Sequence, residues 1–301
     1  MSYDTDMRRR GFFCALALAC GLSALAQAAA LVTGHSISPV PPSGIVSLGI
    51  MKPANSDLPE REITVKLPPN YDPSKALSVL VHLDGQNWRR NELSWNLDSA
   101  VETHVRNGHE PFLSILVPNA GERRSDEYLP ESAFDVVHGR GKAGGQLEEF
   151  YSFLVHQVRP AVDARFLTKP GAMGIIGSSY GAVAAFCIGM KHPDKVDRII
   201  AHSLSAGWNE KRLIKLVENS KIKPPITLWT DIGTNEEDTP EKSFQVLLMF
   251  REFKAALQKL GFLEGKDMRT LEDNSPEGSH HDENAWAQPQ RLPASLQFLF
   301  P

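Results

Sequence analysis

Gly177-Ser178-Ser179-Tyr180-Gly181 is the stretch of sequence that decides the fold. It follows an apolar segment, residues 172–176, and precedes a segment of small residues, 182–191, so we predict a strand, a sharp turn and a helix in that order. In this context G-x-S-x-G is a nucleophile elbow, whose two glycines tolerate a crowded backbone. Ser179 is then expected at the carboxyl end of a strand, where the dipole of the following helix favours negative charge. The alternative interpretation is an ordinary glycine-rich turn.

The N-terminus has the pattern of an export signal. Arg8-Arg9-Arg10 is a basic region, Gly11 to Leu25 is apolar but short for a membrane span, and Ala26-Gln27-Ala28 is an A-x-A cleavage site. We therefore expect residues 1–28 to be a secretory signal peptide, with an uncleaved anchor as the alternative. The mature protein is expected to be periplasmic or secreted, without stable membrane insertion.

The composition of the chain is that of a soluble globular protein. The 301 residues are 42% hydrophobic and 23% charged, and the net charge of −4 gives no reason to expect a nucleic-acid partner. Once the signal peptide is removed, Cys187 is the only cysteine, so no internal disulfide can form. We expect Cys187 to be a buried packing residue.

Strands alternate with helices from residue 77 onward. This order predicts an α/β fold with a mostly parallel central sheet and helices on both faces, in one domain over residues 61–301. Residues 29–60 are predicted to be an irregular lead-in, and residues 118–145 a long functional loop. The predicted strands cover 62–67, 77–83, 112–117, 172–176, 199–203, 226–232 and 267–271; the predicted helices run from Leu93 to Gly108 and over 146–158, 182–191, 243–260 and 285–300.

A serine nucleophile needs a general base, and histidine is the usual one because its pKa lies near the working pH. On an α/β-hydrolase sheet the chain order is serine, acid, histidine. His192 is predicted near the far end of the helix after the elbow, and His202 lies within a predicted buried strand. His280 and His281 remain, on a loop before the last predicted helix.

The acid is expected to follow the strand that ends near residue 230. Four carboxylates lie in the segment Asp231-Ile232-Gly233-Thr234-Asn235-Glu236-Glu237-Asp238. The sequence therefore defines the segment that contains the acid better than it defines which of the four carboxylates is the acid. The others are expected to be solvated charges of an acidic loop.

Several motifs occur in a fixed order along the chain: His82-Leu83-Asp84-Gly85-Gln86-Asn87, Arg123-Arg124-Ser125-Asp126-Glu127-Tyr128-Leu129-Pro130, the elbow, Asp231 to Glu236, and His281-Asp282-Glu283-Asn284-Ala285-Trp286. Together they resemble the putative-esterase family of α/β-hydrolases, from about residue 60 to 300. That family includes enterochelin (ferric siderophore) esterases, feruloyl and acetyl-xylan esterases, S-formylglutathione hydrolases (esterase D) and mycolyltransferases, and the enterochelin esterase-like branch is the most similar.

The resemblance implies a catalytic triad. Ser179 matches the nucleophile, and His281 matches the base because an acidic residue follows it two positions on and a tryptophan five positions on. The family's acid follows a Gly-Thr pair, which selects Glu236, with Asp231 and Asp238 in reserve. Some siderophore esterases manage with a Ser-His dyad.

An oxyanion hole needs two backbone N–H groups aimed at the tetrahedral oxygen. The elbow supplies the N–H of Tyr180, the residue after the nucleophile, and the resemblance places the second N–H at Gln86. Arg124, Trp208 and Trp286 are candidates for substrate contact. For Arg124, as for Arg123 and Arg140, the alternative is pairing with neighbouring acids.

The resemblance implies a serine carboxylic ester hydrolase that forms an acyl-enzyme, acting on a small-molecule ester such as a siderophore lactone or a feruloyl or acetyl ester. An acyltransferase with the same triad, and a non-catalytic binding module on a hydrolase scaffold, are the alternatives. We expect no cofactor and no metal, since the histidines lack metal-ligand spacing and H-E-x-x-H is absent.

Overall fold

One eight-stranded sheet organises the protein, as a computed structural model shows. The structure describes residues 44–54, 56–89, 95–134 and 141–301. The strands in this part of the chain are β1 (Ile45–Met51), β2 (Arg61–Lys66), β3 (Ser78–His82), β4 (Phe112–Leu116), β5 (Ala133–Phe134), β6 (Lys142–Ala143), β7 (Met173–Ser178), β8 (Val196–His202), β9 (Thr227–Gly233) and β10 (Met268–Asp273). The sheet order is β1-β2-β4-β3-β7-β8-β9-β10, and β5 and β6 form a separate hairpin.

The sheet is mostly parallel, as the sequence predicts. Only the pairs β1–β2 and β2–β4 are antiparallel; the five pairs from β4–β3 to β9–β10 are parallel. The strands at the centre, β3, β4 and β7, are buried along their whole length. Sheets of this kind need helices on both faces to cover their apolar side chains.

The helices supply that cover in two layers. One buried cluster packs the sheet against α3, α5 and α7, and a second packs it against α1 and α9. The helices are α1 (Leu97–Arg106), α2 (Arg124–Tyr128), α3 (Leu147–Phe153), α4 (Arg159–Asp163), α5 (Tyr180–Lys191), α6 (Trp208–Asn219), α7 (Pro240–Leu260), α8 (Glu283–Trp286) and α9 (Leu292–Leu299). Cys187 on α5 is buried, which raises the pKa of its thiol to about 12.

The lead-in is not wholly irregular. The predicted signal peptide, residues 1–28, and the lead-in up to residue 43 lie outside the described residues. Residues 45–51, however, form β1, which pairs with β2 along one edge of the sheet. The glycine- and proline-rich composition hides this strand, and the prediction of an irregular segment over 29–60 is wrong for it.

Two further predictions change in detail. The long loop 118–145 contains α2 and the β5–β6 hairpin. The helix predicted over 146–158 continues through Pro160 to Asp163, with a π-helical turn, Leu154–Val158, between α3 and α4. Such a turn accommodates a proline, which lacks the N–H that the preceding turn would bond.

The C-terminal helix is broken in two. The prediction of one helix over 285–300 is wrong, because α8 ends at Trp286 and α9 begins at Leu292. Pro289 cannot donate a backbone hydrogen bond and lies in the break between the two helices, whereas Pro293 lies in the first turn of α9, where no intrahelical donor is needed. Within the described part of the chain, none of the helices is both long and apolar enough to cross a membrane.

Candidate active site

The predicted elbow is a sharp turn between β7 and α5. Ser179 is half-buried and adopts φ 54° and ψ −122°, a conformation that non-glycine residues rarely adopt. Its N–H donates to the His202 carbonyl at the end of β8 (3.0 Å). Strain of this kind persists only where the surrounding structure holds it, and it concentrates at functional sites.

The glycines of the elbow are required by the close approach of its two arms. A Cβ atom on Gly177 would lie 2.4 Å from the Gly181 carbonyl oxygen. A Cβ atom on Gly181 would lie 3.1 Å from Asp84 Oδ2, on the turn after β3. The crowding that the sequence motif predicts is therefore present.

His281 and Glu236 meet across two loops. Nδ1 of His281 forms a hydrogen bond with Glu236 Oε2, and the Glu236 side chain is almost fully buried. The other carboxylate oxygen, Oε1, accepts from the Gly233 N–H (2.5 Å) and the Ser203 hydroxyl (2.7 Å). Both carboxylate oxygens of Glu236 are therefore hydrogen-bonded, and one of them contacts the imidazole of His281.

A cavity of about 530 Å³ brings Ser179, Glu236 and His281 together. In the part of the chain that the structure describes, no hydrogen bond joins the Ser179 hydroxyl to His281. Hydrogen bonds between a nucleophile and its base are often long until substrate is bound. The cavity walls are largely apolar and are formed by Phe134, Leu204, Ala206, Trp208, Ile232, Val246 and Met249, besides polar residues such as Ser205 and Glu237.

The other candidates for base and acid lie elsewhere. His202 is fully buried and its Nδ1 bonds Asp231 Oδ2 (2.5 Å), so this pair does not reach His281. Asp238 is exposed and pairs with Lys242. The ring of His280 points to solvent, since the residue is exposed and only its backbone is bonded.

The turn after β3 lies against the elbow. Asp84 has φ 54°, and a Cβ atom on Gly85 would lie 2.4 Å from the Val117 backbone nitrogen, so the turn needs glycine there. The side chain of Gln86 accepts from the Asn119 N–H (3.0 Å). The backbone N–H of Gln86 makes no hydrogen bond to a residue that the structure describes, so it is available as a donor. Gln86 does not, however, line the cavity that contains Ser179.

Two of the residues predicted to contact substrate, Arg124 and Trp286, are bonded to other side chains and do not line the cavity. Arg124 makes a bidentate ion pair with Asp84 (2.7 and 2.8 Å) and donates to the Ser178 carbonyl. Burial works against its charged form, but Asp84 overcomes that effect and raises the pKa of Arg124. Trp286 is buried and donates to the Ser203 hydroxyl (2.7 Å). Trp208 does line the cavity.

Arg123, the other described arginine of this group, does not line the cavity. Arg123 pairs with Asp57 and Asp126, and Arg140 lies outside the described residues. Among the residues described, no group of three or more histidine, cysteine or carboxylate side chains is arranged to hold a metal ion.

The comparisons with known proteins agree with this fold. The family model described as "Putative esterase" matches residues 58–298. The chain belongs to this esterase family. It is therefore a carboxylic ester hydrolase by family, and the family resemblance seen in the sequence motifs is confirmed. A comparison with curated proteins found none that matches.

Solved structures of other proteins, among them a siderophore hydrolase and an enterobactin esterase, share the fold of this family member. The BES protein from Bacillus cereus is 17% identical with a TM-score of 0.64, covering 88% of this chain and 98% of its own. The siderophore hydrolase EstA from Aspergillus nidulans is 18% identical with a TM-score of 0.63, covering 89% and 98%. The enterobactin esterase FES from Shigella flexneri is 15% identical with a TM-score of 0.62, covering 87% and 61%. At these identities the likeness concerns the α/β-hydrolase fold.

Proposed function

We propose that this esterase is an exported serine hydrolase that works through Ser179, His281 and Glu236 and forms an acyl-enzyme. One observation carries the proposal: the Glu236–His281 hydrogen bond lies in the same cavity as a serine on a strained strand-to-helix turn. A carboxylate on Nδ1 fixes the tautomer that leaves Nε2 free to take a proton.

The proposed reaction has two halves. His281 takes the Ser179 proton as Oγ attacks the ester carbonyl, and the backbone N–H groups of Tyr180 and Gln86 stabilise the oxyanion. The imidazolium, held by Glu236, then protonates the leaving alcohol. Water, activated by the same imidazole, adds to the acyl-enzyme and releases the acid and the free serine.

The substrate is proposed to be a small-molecule ester that presents an apolar acyl or aryl group. The walls contributed by Leu204, Trp208, Val246 and Met249 support this choice. Siderophore lactones and feruloyl or acetyl esters remain the candidate natural substrates, because the structural neighbours include a siderophore hydrolase and a protein named a ferulic acid esterase.

Covalent labelling tests the nucleophile. A fluorophosphonate probe should modify the wild-type protein at Ser179, located by peptide mass spectrometry, and Ser179→Ala should lose labelling and p-nitrophenyl ester turnover by several orders of magnitude. Ser205→Ala, which removes another hydroxyl of the same cavity, should keep the label. Labelling of Ser179→Ala at the wild-type rate would disprove the assignment.

A pair of neighbouring histidines tests the base. His281→Ala should be nearly as damaging as the serine variant, whereas His280→Ala should be mild, because only His281 bonds Glu236. The reverse order would mean that the wrong histidine is assigned. A panel of p-nitrophenyl esters, methyl ferulate, acetylated xylan and a ferric catecholate trilactone would then identify the substrate.

A further inference from the structure

Arg291 is a fully buried arginine behind the candidate triad. It lies between α8 and α9, and its guanidinium pairs with Asp231 on β9, donating to Oδ1 from Nη2 (2.5 Å) and Nε (3.2 Å). Burial alone would raise the pKa of Asp231, but Arg291, followed by His202, holds that pKa well below its usual range. The two side chains therefore form a buried ion pair.

The same guanidinium reaches the candidate acid through one hydroxyl. Nη2 of Arg291 donates to Ser203 Oγ (2.7 Å), and Ser203 Oγ donates to Glu236 Oε1 (2.7 Å). Nη2 also lies 3.8 Å from Glu236 Oε1 itself. The indole of Trp286 is the second donor to Ser203, so this hydroxyl has its hydrogen directed to the carboxylate.

The guanidinium also holds the loop that carries the candidate base. Nη1 of Arg291 donates to the carbonyls of Gly278 (2.9 Å) and His280 (3.3 Å), the second of which directly precedes His281. One rigid side chain therefore connects β9, the acid and the histidine loop. Planar guanidinium groups suit such multiple, fixed contacts, and a lysine cannot reproduce them.

We propose that Arg291, ion-paired with Asp231, is a positioning residue that sets Glu236 against His281. This inference rests on the proposed function, since it concerns the acid and base of that mechanism. Stability alone is a weak explanation for the pair, because buried ion pairs commonly stabilise no more than apolar side chains of similar size. The contacts of Arg291 to Ser203 and to two carbonyls of the histidine loop indicate that the pair orients the acid and the base of the site.

Two variants and a matched control test the proposal. Arg291→Lys keeps the charge beside Asp231 but loses the forked contacts. Ser203→Ala removes only the hydroxyl between Arg291 and Glu236. The control is Arg61→Lys. Arg61 is also buried, pairs with the buried Glu127 (2.8 Å), and makes none of its hydrogen bonds to a residue that lines the cavity.

For each variant, kcat and KM are measured per fluorophosphonate-reactive site at a temperature well below its unfolding transition. We expect kcat to fall about tenfold to a hundredfold in Arg291→Lys and Ser203→Ala while KM changes by less than about threefold. Arg61→Lys should lower the unfolding temperature and keep kcat. Values of kcat within about twofold of wild type in the two test variants would overturn the proposal.

Crystal structures of the same variants give a readout that needs no substrate. In Ser203→Ala and Arg291→Lys the Glu236–His281 hydrogen bond should be broken or lengthened, and unchanged placement of both side chains would overturn the proposal. If Arg291→Lys does not fold, Ser203→Ala decides the question. Activity retained in Ser179→Ala would instead refute the proposed mechanism, and the two failures are thereby distinguished.

Discussion

His82 makes the stability of the fold depend on pH in a way that can be calculated. It is the last residue of β3, fully buried, with its ring edge-on to Trp88 at 4.4 Å between centroids. Neither ring nitrogen has a hydrogen-bond partner in the described structure. Burial is the only cause acting on its pKa, which falls from 6.5 to about 3. The folded protein therefore keeps this imidazole neutral.

The sign follows from proton binding. Below pH 6.5 the unfolded chain takes up a proton at His82 that the folded protein does not, so stability falls as the pH decreases from 6.5 toward 3. With these two pKa values, His82 costs about 2 kcal/mol at pH 5 and almost nothing at pH 7. The difference, about 2 kcal/mol, is large beside the usual total stability of about 5–15 kcal/mol.

Guanidinium unfolding of wild type and His82→Leu at pH 7 and pH 5 measures this effect, and the shared acid sensitivity of the carboxylates cancels in the comparison. The free energy of unfolding of the variant relative to wild type should rise by about 2 kcal/mol between pH 7 and pH 5. His156→Gln, a change at an exposed histidine, is the control. Parallel pH dependences for wild type and His82→Leu would refute the reasoning.

Three further predictions concern the elbow, the cavity and the N-terminus. Gly177→Ala should lower the free energy of unfolding by more than about 3 kcal/mol in denaturant titration, because its Cβ would meet a backbone carbonyl at 2.4 Å. Glu237→Gln should raise kcat/KM for the anionic p-nitrophenyl hemisuccinate, relative to its neutral methyl ester, by about three- to tenfold. The reason is that Glu237 is an exposed carboxylate of the cavity and repels an anionic substrate. Asp238→Asn, the control, should not change this ratio of kcat/KM values. Mass spectrometry of exported protein should find Ala29 as the first residue, and a chain that retains residues 1–28 would contradict the predicted cleavage.

The parts of the fold that sequence analysis predicted well have local signals. The elbow motif carries its own strand, turn and helix, and α7 ends where Gly261 adopts φ 105°. In each case neighbouring residues along the chain determine the conformation, so periodicity and glycine positions are sufficient.

The failures have tertiary causes. Pairing with β2 makes residues 45–51 a strand. Helix α6 begins with three non-glycine residues of positive φ, Asn209 to Lys211, a conformation that no sequence pattern predicts. The partner of Arg124, Asp84, lies 40 positions away in the sequence, so the sequence motif does not predict this pair.

The positioning network was missed for the same reason. Arg291 and Asp231 are 60 positions apart, and Arg291 and Ser203 are 88 apart. Neither arginine nor serine stands in a motif at these places. Asp231 was considered only as a reserve for the triad acid, whereas the structure pairs it with Arg291 and His202.

The turn His202–Ser203 connects the two halves of the candidate triad. The His202 carbonyl accepts from the Ser179 N–H, and Ser203 bonds Asp231 through its N–H and Glu236 through its hydroxyl. Ser179 and Ser203 both have positive φ, 54° and 44°, so two strained turns at the ends of neighbouring strands support each other. Each such residue costs about 1–3 kcal/mol. Relaxing the second turn would withdraw both the acceptor that holds the nucleophile and the donor that holds the acid, and the buried Asp231–Arg291 pair opposes this because both of its side chains bond Ser203.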